Sequence, residues 1–493
     1  MKTLTLLIAS ALLAVVAPAA ERRPNIVILY ADDMGVGDVA IQNPESKIAT
    51  PHLDGLAREG TRFTDAHSSS GICTPSRYAL LTGRFHWRKF HTIVQSFGAS
   101  VFDNELTLPA LLRQQGYRTA CIGKWHLGWD WDAIKRPGAK PDPKTGYAPD
   151  AFDWSKPIPG GPVARGFDTY FGDDVPNFPP YAWFENDRVI RAPDAPLAIT
   201  PKTAEGNWEA RPGPMVKDWD FYGVMPRLTE KAVEWIAARK GDDKPFFLYF
   251  PFTSPHAPIV PTPEFAGKSK AGGYGDFMQQ TDDTVGRVLA ALEAAGLSEN
   301  TIVIFSADNG PERYAYERIQ KFQHRSSGPL RGLKRDLWEG GHRVPFIVRW
   351  PGVVKAGAVS DALISQVDLM ATLAAATGST LPASSADDSY NLLPVWKTGA
   401  PSPRQAIVHN TMADGYAVRS GNWVLIATKT GAVTRVPPGF DAKHNYPAHT
   451  APGELYHLSK DLAQRDNLYT QHPAKVQELT ALLASIRAKG QVR

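Results

Sequence analysis

The residues of this chain that could do chemistry fall into a few tight groups. Asp32 and Asp33 follow the apolar run Asn25–Tyr30, and Asp308 and Asn309 follow the run Thr301–Phe305. Three carboxylates brought together repel one another unless a cation sits among them. Hard oxygen donors of this kind suit calcium or magnesium, not zinc. Asp308-Asn309-Gly310 alone reads as a turn, but paired with Asp32-Asp33 it reads as half of a metal site. Lys124 and His126 follow the run Tyr117–Ile122, and His256 follows the run Pro245–Phe250. Four apolar runs therefore each end in charged or imidazole groups, and one shared site explains this better than four separate turns.

Cys73 supplies a nucleophile. In Cys73-Thr74-Pro75-Ser76-Arg77, Pro75 suits a first helical turn, Thr74 is the expected cap, and Gly83 is the stop. Cys73 is then at a helix N-terminus, where the helix dipole favours an anion, with Arg77 one turn further on. A reactive thiol is one chemistry open to such a position. A thiol hydrolase leaves the acid cluster without a purpose. The second cysteine, Cys121, lies in an apolar run and reads as a core residue, so no disulfide is expected.

The elements that must position these groups alternate along the chain. Short, wholly apolar runs at Asn25–Tyr30, Tyr117–Ile122, Pro245–Phe250, Thr301–Phe305 and Pro345–Trp350 suit strands covered on both faces. Helices are predicted at Pro51–Glu59, Thr107–Gln115, Lys231–Arg239 and Gln280–Ala295. This order predicts an α/β fold: a large, mostly parallel sheet flanked by helices on both faces. Ligands of such sheets bind beyond the carboxyl ends of the strands, where the polar groups above fall. From Asp130 to Pro226 the pattern fails in a stretch rich in Pro, Gly, Asp and aromatics, read as irregular substrate-facing structure. Within it, the aromatic stretch Asn177–Phe184 could stack on sugar rings. After about residue 390, strand-like runs at Gln405–His409, Ala417–Arg419, Trp423–Ala427 and Glu454–Leu458, with a helix at Lys475–Lys489, predict a smaller C-terminal α+β subdomain. The expected division is 1–20, 21–390 and 391–493.

Residues 1–20 read as a secretory signal peptide: Lys2, an apolar run Leu4–Val16, then small residues. The run is short for a membrane span, so no stable membrane anchor is expected and the chain is expected to be secreted or periplasmic. The 493 residues carry 54 basic and 50 acidic side chains, a net charge of +4, which gives no case for a nucleic-acid partner.

Cys73-Thr74-Pro75-Ser76-Arg77, with Leu81-Thr82-Gly83-Arg84 after it and Gly123-Lys124-Trp125-His126-Leu127-Gly128 further on, resembles the signature of the type I sulfatases, a family of the alkaline phosphatase superfamily. The resemblance spans Pro24 to the Asn467-Leu468 region. It implies an alkaline-phosphatase-like core, one calcium ion, and a formylglycine made from Cys73 by a maturation enzyme. It assigns Asp32, Asp33, Asp308 and Asn309, with position 73, to the metal. Lys124 and Lys334 are implied to neutralise sulfate oxygens, His256 to protonate the leaving oxygen, His126 to take a diol proton, and Arg77 to orient the diol. The implied substrate is a sulfate ester, on a saccharide by preference. Two alternatives stand beside it: a phosphatase of the same superfamily and an inactive binder of sulfated glycans. His324 is a further candidate to face substrate, while Trp125 and Trp338 read as packing residues. Oligomeric state does not follow from the sequence.

Overall fold

The computed structural model describes residues 22–197 and 210–489, so the expected signal peptide lies outside the described residues. Fourteen strands carry the argument. The first ten are β1 (Asn25–Ala31), β2 (Thr61–Phe63), β3 (Arg118–Lys124), β4 (Thr169–Asp174), β5 (Phe184–Glu185), β6 (Arg188–Val189), β7 (Phe246–Pro251), β8 (Thr301–Ala307), β9 (Phe346–Arg349) and β10 (Ala358–Ser360). Together they form one sheet in the order β10-β2-β9-β8-β1-β7-β3-β4-β5-β6. The five central strands, β8-β1-β7-β3-β4, are mutually parallel. Antiparallel strands appear only toward the margins, where β9 runs against β8 and β5 against β4.

The apolar runs are unbroken because both faces of the sheet are covered. Along β1, Ile26, Ile28 and Tyr30 enter one core, and Val27, Leu29 and Ala31 enter the other. The first core is closed by helices α2 (Cys73–Thr82), α3 (Leu108–Gln114) and α6 (Leu369–Thr377) through Leu80, Leu81, Leu111, Leu112 and Leu373. The opposite core is closed by α1 (Pro51–Glu59), α4 (Val224–Ala237) and α5 (Gly272–Ala294) through Leu53, Leu56, Leu228, Ile236, Phe277 and Val285. Each such aliphatic side chain, fully removed from water, contributes about 1.5–3 kcal/mol. The Val27 and Leu29 pair at the sheet centre is wholly buried.

Three expectations need correction. The stretch 130–226 is not irregular throughout, because β4 extends the main sheet and β5 and β6 finish its edge. The sequence of β4, Thr-Tyr-Phe-Gly-Asp-Asp, lacks the unbroken apolar run of its parallel neighbours, although its four middle residues are buried. Helix α4 begins at Val224 and not Lys231, and α5 at Gly272 and not Gln280; glycines and polar residues fill the first turns of α5. Finally, Thr74 does not cap α2. The helix starts at Cys73, its cap position is Ile72, and the Thr74 hydroxyl donates to the His126 carbonyl (2.8 Å).

Strands β11 (Ala406–Thr411), β12 (Gly415–Ser420), β13 (Trp423–Ile426) and β14 (Glu454–His457) form a separate antiparallel sheet in that order. Helix α7 (Pro473–Lys489) lays Leu479, Leu483 and Ile486 on it, beside Ala79, Phe85 and Val367 from the larger unit.

Candidate active site

β8, β1, β7 and β3 are neighbours and parallel, so their carboxyl ends open on the same side. Asp308, Asp32-Asp33, the His256 loop and Lys124 follow or end these strands. Helix α2 brings Cys73 to them. The ten residues proposed from the sequence come together here.

Asp32 lies between cations and the nucleophile position. Lys124 Nζ donates to its Oδ2 (2.6 Å), Cys73 Sγ is 3.6 Å from its Oδ1, and Arg77 Nη2 is 3.5 Å from the same oxygen. Burial alone would favour the neutral acid, but Lys124, His256 and Arg77 hold the Asp32 carboxyl down at about 2. Asp308 takes two hydrogen bonds from Arg77, Nε at 3.1 Å and Nη2 at 2.8 Å, while Arg77 Nη1 donates to the Lys124 carbonyl (3.1 Å). Burial and the neighbouring Asp32 push the Asp308 carboxyl up against the pull of Arg77. Two buried carboxylates thus press against one another, as they do where a cation is to be held.

Asp33 receives Lys334 Nζ on both oxygens (2.7 and 2.8 Å) and the Asn309 Nδ2 amide (2.8 Å); His256 Nε2 lies 3.6 Å away. Asn309 Oδ1 is buried with no hydrogen-bond partner. A buried amide oxygen left bare costs about 1–3 kcal/mol. A hard cation among Asp32, Asp33, Asp308 and Asn309 would satisfy it, so the oxygen set present fits calcium. Asp32, Asp33, Cys73 and His256 also bring ligand atoms within 4.8 Å of one another.

Cys73 is buried at the floor of a cavity of about 320 Å³. Burial, then Asp308, pushes its thiol well up, although Lys124 and Lys334 oppose this. The unmodified thiol is therefore a poor nucleophile at neutral pH. The helix N-terminus does not by itself rescue it.

Both histidines present a defined nitrogen. His256 Nδ1 faces the Ala257 carbonyl (2.6 Å) and must carry a proton, which leaves Nε2 toward the cavity. His126 Nε2 donates to the Val94 carbonyl (3.0 Å), and its buried Nδ1 has no partner. Burial, then Lys124 and Arg77, holds His126 well below the usual imidazole range, so this Nδ1 is a bare lone pair.

Local backbone geometry aims these groups. Asp33, His126 and Arg335 are non-glycine residues with left-handed backbone, at φ 63°, 55° and 78°. Strain of this kind, of order 1–3 kcal/mol each, persists where surroundings over-determine it. Gly123, at φ 125°, sits in a register shift between Ile122 and Lys124; a Cβ there would lie 1.9 Å from the Pro251 oxygen. The irregularity turns Lys124 toward Asp32.

Some residues at the site escaped the sequence reading. Glu312 grips Arg335 through both nitrogens (2.7 and 2.8 Å) and lies 3.6 Å from Lys334. It stands two residues after Gly310, close enough to Asp308-Asn309 to have been a candidate. Arg211 and Met412, also missed, line the cavity together with Asn177 and Phe178 of the stretch Asn177–Phe184, and the Arg211 guanidinium lies 3.7 Å from the Phe178 ring centre. Of the aromatic stretch, Phe178 reaches the cavity, whereas Tyr181 and Trp183 pack on Phe221 and Phe171. His324 does not face it. It is wholly buried and bonds Asp38 (2.7 Å), because its loop folds under Gly35 and Gly37 and not over the strand ends. Trp125 and Trp338 are buried packing residues, as expected, and both cysteines are free.

A family model described as Sulfatase matches residues 24–379. The chain belongs to the sulfatase family. An N-acetylgalactosamine-6-O-sulfatase of Bacteroides thetaiotaomicron is 32% identical, over 95% of this chain and 94% of that protein. Human arylsulfatase A is 34% identical over 91% and 84%, and human N-acetylgalactosamine-6-sulfatase 30% over 95% and 86%. A solved structure from work on glycosaminoglycan metabolism by Bacteroides thetaiotaomicron superposes with a TM-score of 0.79 at 30% identity, covering 95% of this chain and all of that one. This sulfatase is a sulfuric ester hydrolase of the alkaline phosphatase superfamily, and its family generally uses a formylglycine and a metal ion. Among the described residues, no helix is long and apolar enough to cross a membrane.

Proposed function

We propose that this sulfatase removes a 6-O-sulfate from an N-acetylgalactosamine unit of a sulfated saccharide, with Cys73 converted by a maturation enzyme to formylglycine and calcium as its metal. The observation that supports the chemistry is the convergence of Cys73 with Asp32, Asp33, Asp308 and Asn309, the last with its bare amide oxygen. The substrate rests on relatives named for N-acetylgalactosamine 6-sulfate that match nearly the whole chain.

Asp32, Asp33, Asp308 and Asn309 would hold the calcium. When present, the formylglycine supplies a hydrated aldehyde as nucleophile and the ion supplies charge that favours its deprotonation. The chain's own residues do the rest. Lys124 and Lys334 place two ammonium groups beside the cavity floor, where they neutralise sulfate oxygens as charge builds. His256, protonated at Nε2, donates to the departing sugar oxygen. His126 accepts a proton at Nδ1. Arg77, pinned by Asp308 and the Lys124 carbonyl, orients position 73.

The test is sulfate release from defined saccharides carrying 6-O-sulfate or 4-O-sulfate on N-acetylgalactosamine, or 6-O-sulfate on N-acetylglucosamine. Preference for the first is expected. Equal or greater turnover of the 4-O-sulfated sugar would overturn the substrate reading and leave the sulfatase chemistry intact. Mass spectrometry of the Cys73 peptide from active protein should show the thiol replaced by an aldehyde.

A further inference from the structure

Three histidines meet away from the cavity. His67 precedes the Cys73 loop, His342 ends the turn Glu339–His342, and His409 lies on β11. All three are buried, and one ring nitrogen of each lies within 4.8 Å of the others. None of them lines the catalytic cavity.

Their outer hydrogen bonds fix the tautomers. His67 Nε2 faces Asp65 Oδ1 (2.9 Å) and, further off, the donor-only Arg419 Nη1 (3.3 Å), while His342 Nε2 faces the Leu337 carbonyl (3.2 Å); the shorter contact of each Nε2 is to an acceptor, which assigns both of them protons. In the neutral rings the two Nδ1 atoms are then bare lone pairs. They point at one another across 3.1 Å. Two lone pairs at that distance need a cation between them. His409 adds a second deficit, because neither of its ring nitrogens has a partner.

The nearby charged groups are already matched. Arg419 holds Asp65 (2.7 and 2.5 Å) and Arg343 holds Glu339 (3.1 Å), two carboxylates against two guanidinium groups. The outer bonds to a carboxylate and a carbonyl are those that orient metal-binding imidazoles. Two nitrogens on one tetrahedral zinc, each at about 2.0–2.1 Å, lie roughly 3.4 Å apart. The His67–His342 spacing is close to that.

We propose that His67, His342 and His409 form a second metal centre, for zinc or a similar nitrogen-seeking divalent cation, distinct from the oxygen-rich site beside Cys73. It ties β11 of the C-terminal sheet to the segments that precede Cys73 and follow Asp336. His409 stacks on His342 with ring centres 3.5 Å apart, so ligation requires its ring to turn out of that stack.

The test is elemental analysis of the full-length protein produced with zinc, together with anomalous diffraction at the zinc edge from the unaltered protein. About one zinc per chain is expected, with an anomalous peak among the three imidazoles. His409→Gln should lower zinc at least fivefold while leaving calcium content unchanged. Cobalt grown in place of zinc should give visible absorption bands that His342→Gln removes. A well-folded protein with less than a tenth of an equivalent of zinc, and no peak among the rings, would overturn the proposal and leave a proton shared between His67 and His342. Because the diffraction arm uses the unaltered chain, a variant that fails to fold does not shelter the proposal.

Discussion

Two buried groups of acids in this molecule are satisfied in opposite ways. Around Cys73, Asp32 and Asp33 are held chiefly by lysines, Lys124 and Lys334, and only Asp308 by an arginine fork, that of Arg77. Around His67, Asp65 and Glu339 are held by arginines, Arg419 and Arg343. An arginine fork is planar and directional, and it fixes its partner; a lysine ammonium is a compact charge on a flexible stem that can be shared with an arriving anion. The first cluster also leaves acceptors open, Asn309 Oδ1 among them, and faces a cavity. On the proposed mechanism, the contrast separates acids kept ready for an ion and an anionic substrate from acids that hold two parts of the chain together.

The sharpest break in the comparison is at Cys73. Cys73→Ala should lower sulfate release by at least ~10³-fold with little change in melting temperature. A variant that kept activity would remove position 73 from the chemistry. Next is Arg419→Met, which leaves Asp65 buried with one cation fewer. It should cost about 3–5 kcal/mol of stability in denaturant unfolding, with sulfate release per folded molecule unaltered. Lys334→Ala should do the reverse, lowering kcat roughly 10²–10³-fold with a smaller loss of stability. If both variants lost stability equally, the distinction between the clusters would fail.

The finest test is pH. Burial would raise the Asp65 carboxyl, but its hydrogen bonds with His67 and Arg419 and the charge of Arg343 hold it far below the ordinary 3.8. Its folded value is depressed, so its contribution is present above about pH 4 and is lost as pH falls below that. The slope of unfolding free energy below pH 4 should be shallower in Asp65→Asn by up to one proton, about 1.4 kcal/mol per pH unit. An unchanged slope would show that Asp65 does not carry that titration.

The candidate catalytic cluster was legible because most of its residues follow apolar runs that become β1, β3, β7 and β8, with Cys73 and Arg77 marked by a helix start and Lys334 by the family resemblance alone. Strand ends are where a parallel sheet places ligands, so periodicity and residue type converged. The strand β4 was missed because Gly172, Asp173 and Asp174 break its apolar character. The antiparallel turn of β9 was missed because the apolar run Phe346–Val348 does not reveal its direction. The histidine cluster left no local signal at all. His67, His342 and His409 sit far apart in the chain, and each alone reads as a core histidine. Only the docking of β11 brings the third against the other two.

The burial of Cys73 sets an order of events in the life of the chain. Position 73 begins a helix whose ten residues are all buried, under loops drawn from β3, β7 and β8. A maturation enzyme that must enclose this segment to oxidise it would have no purchase once α2 is packed. The proposed conversion of Cys73 to formylglycine would then belong to the interval between synthesis and folding, and a molecule that folds first would be trapped as the thiol form.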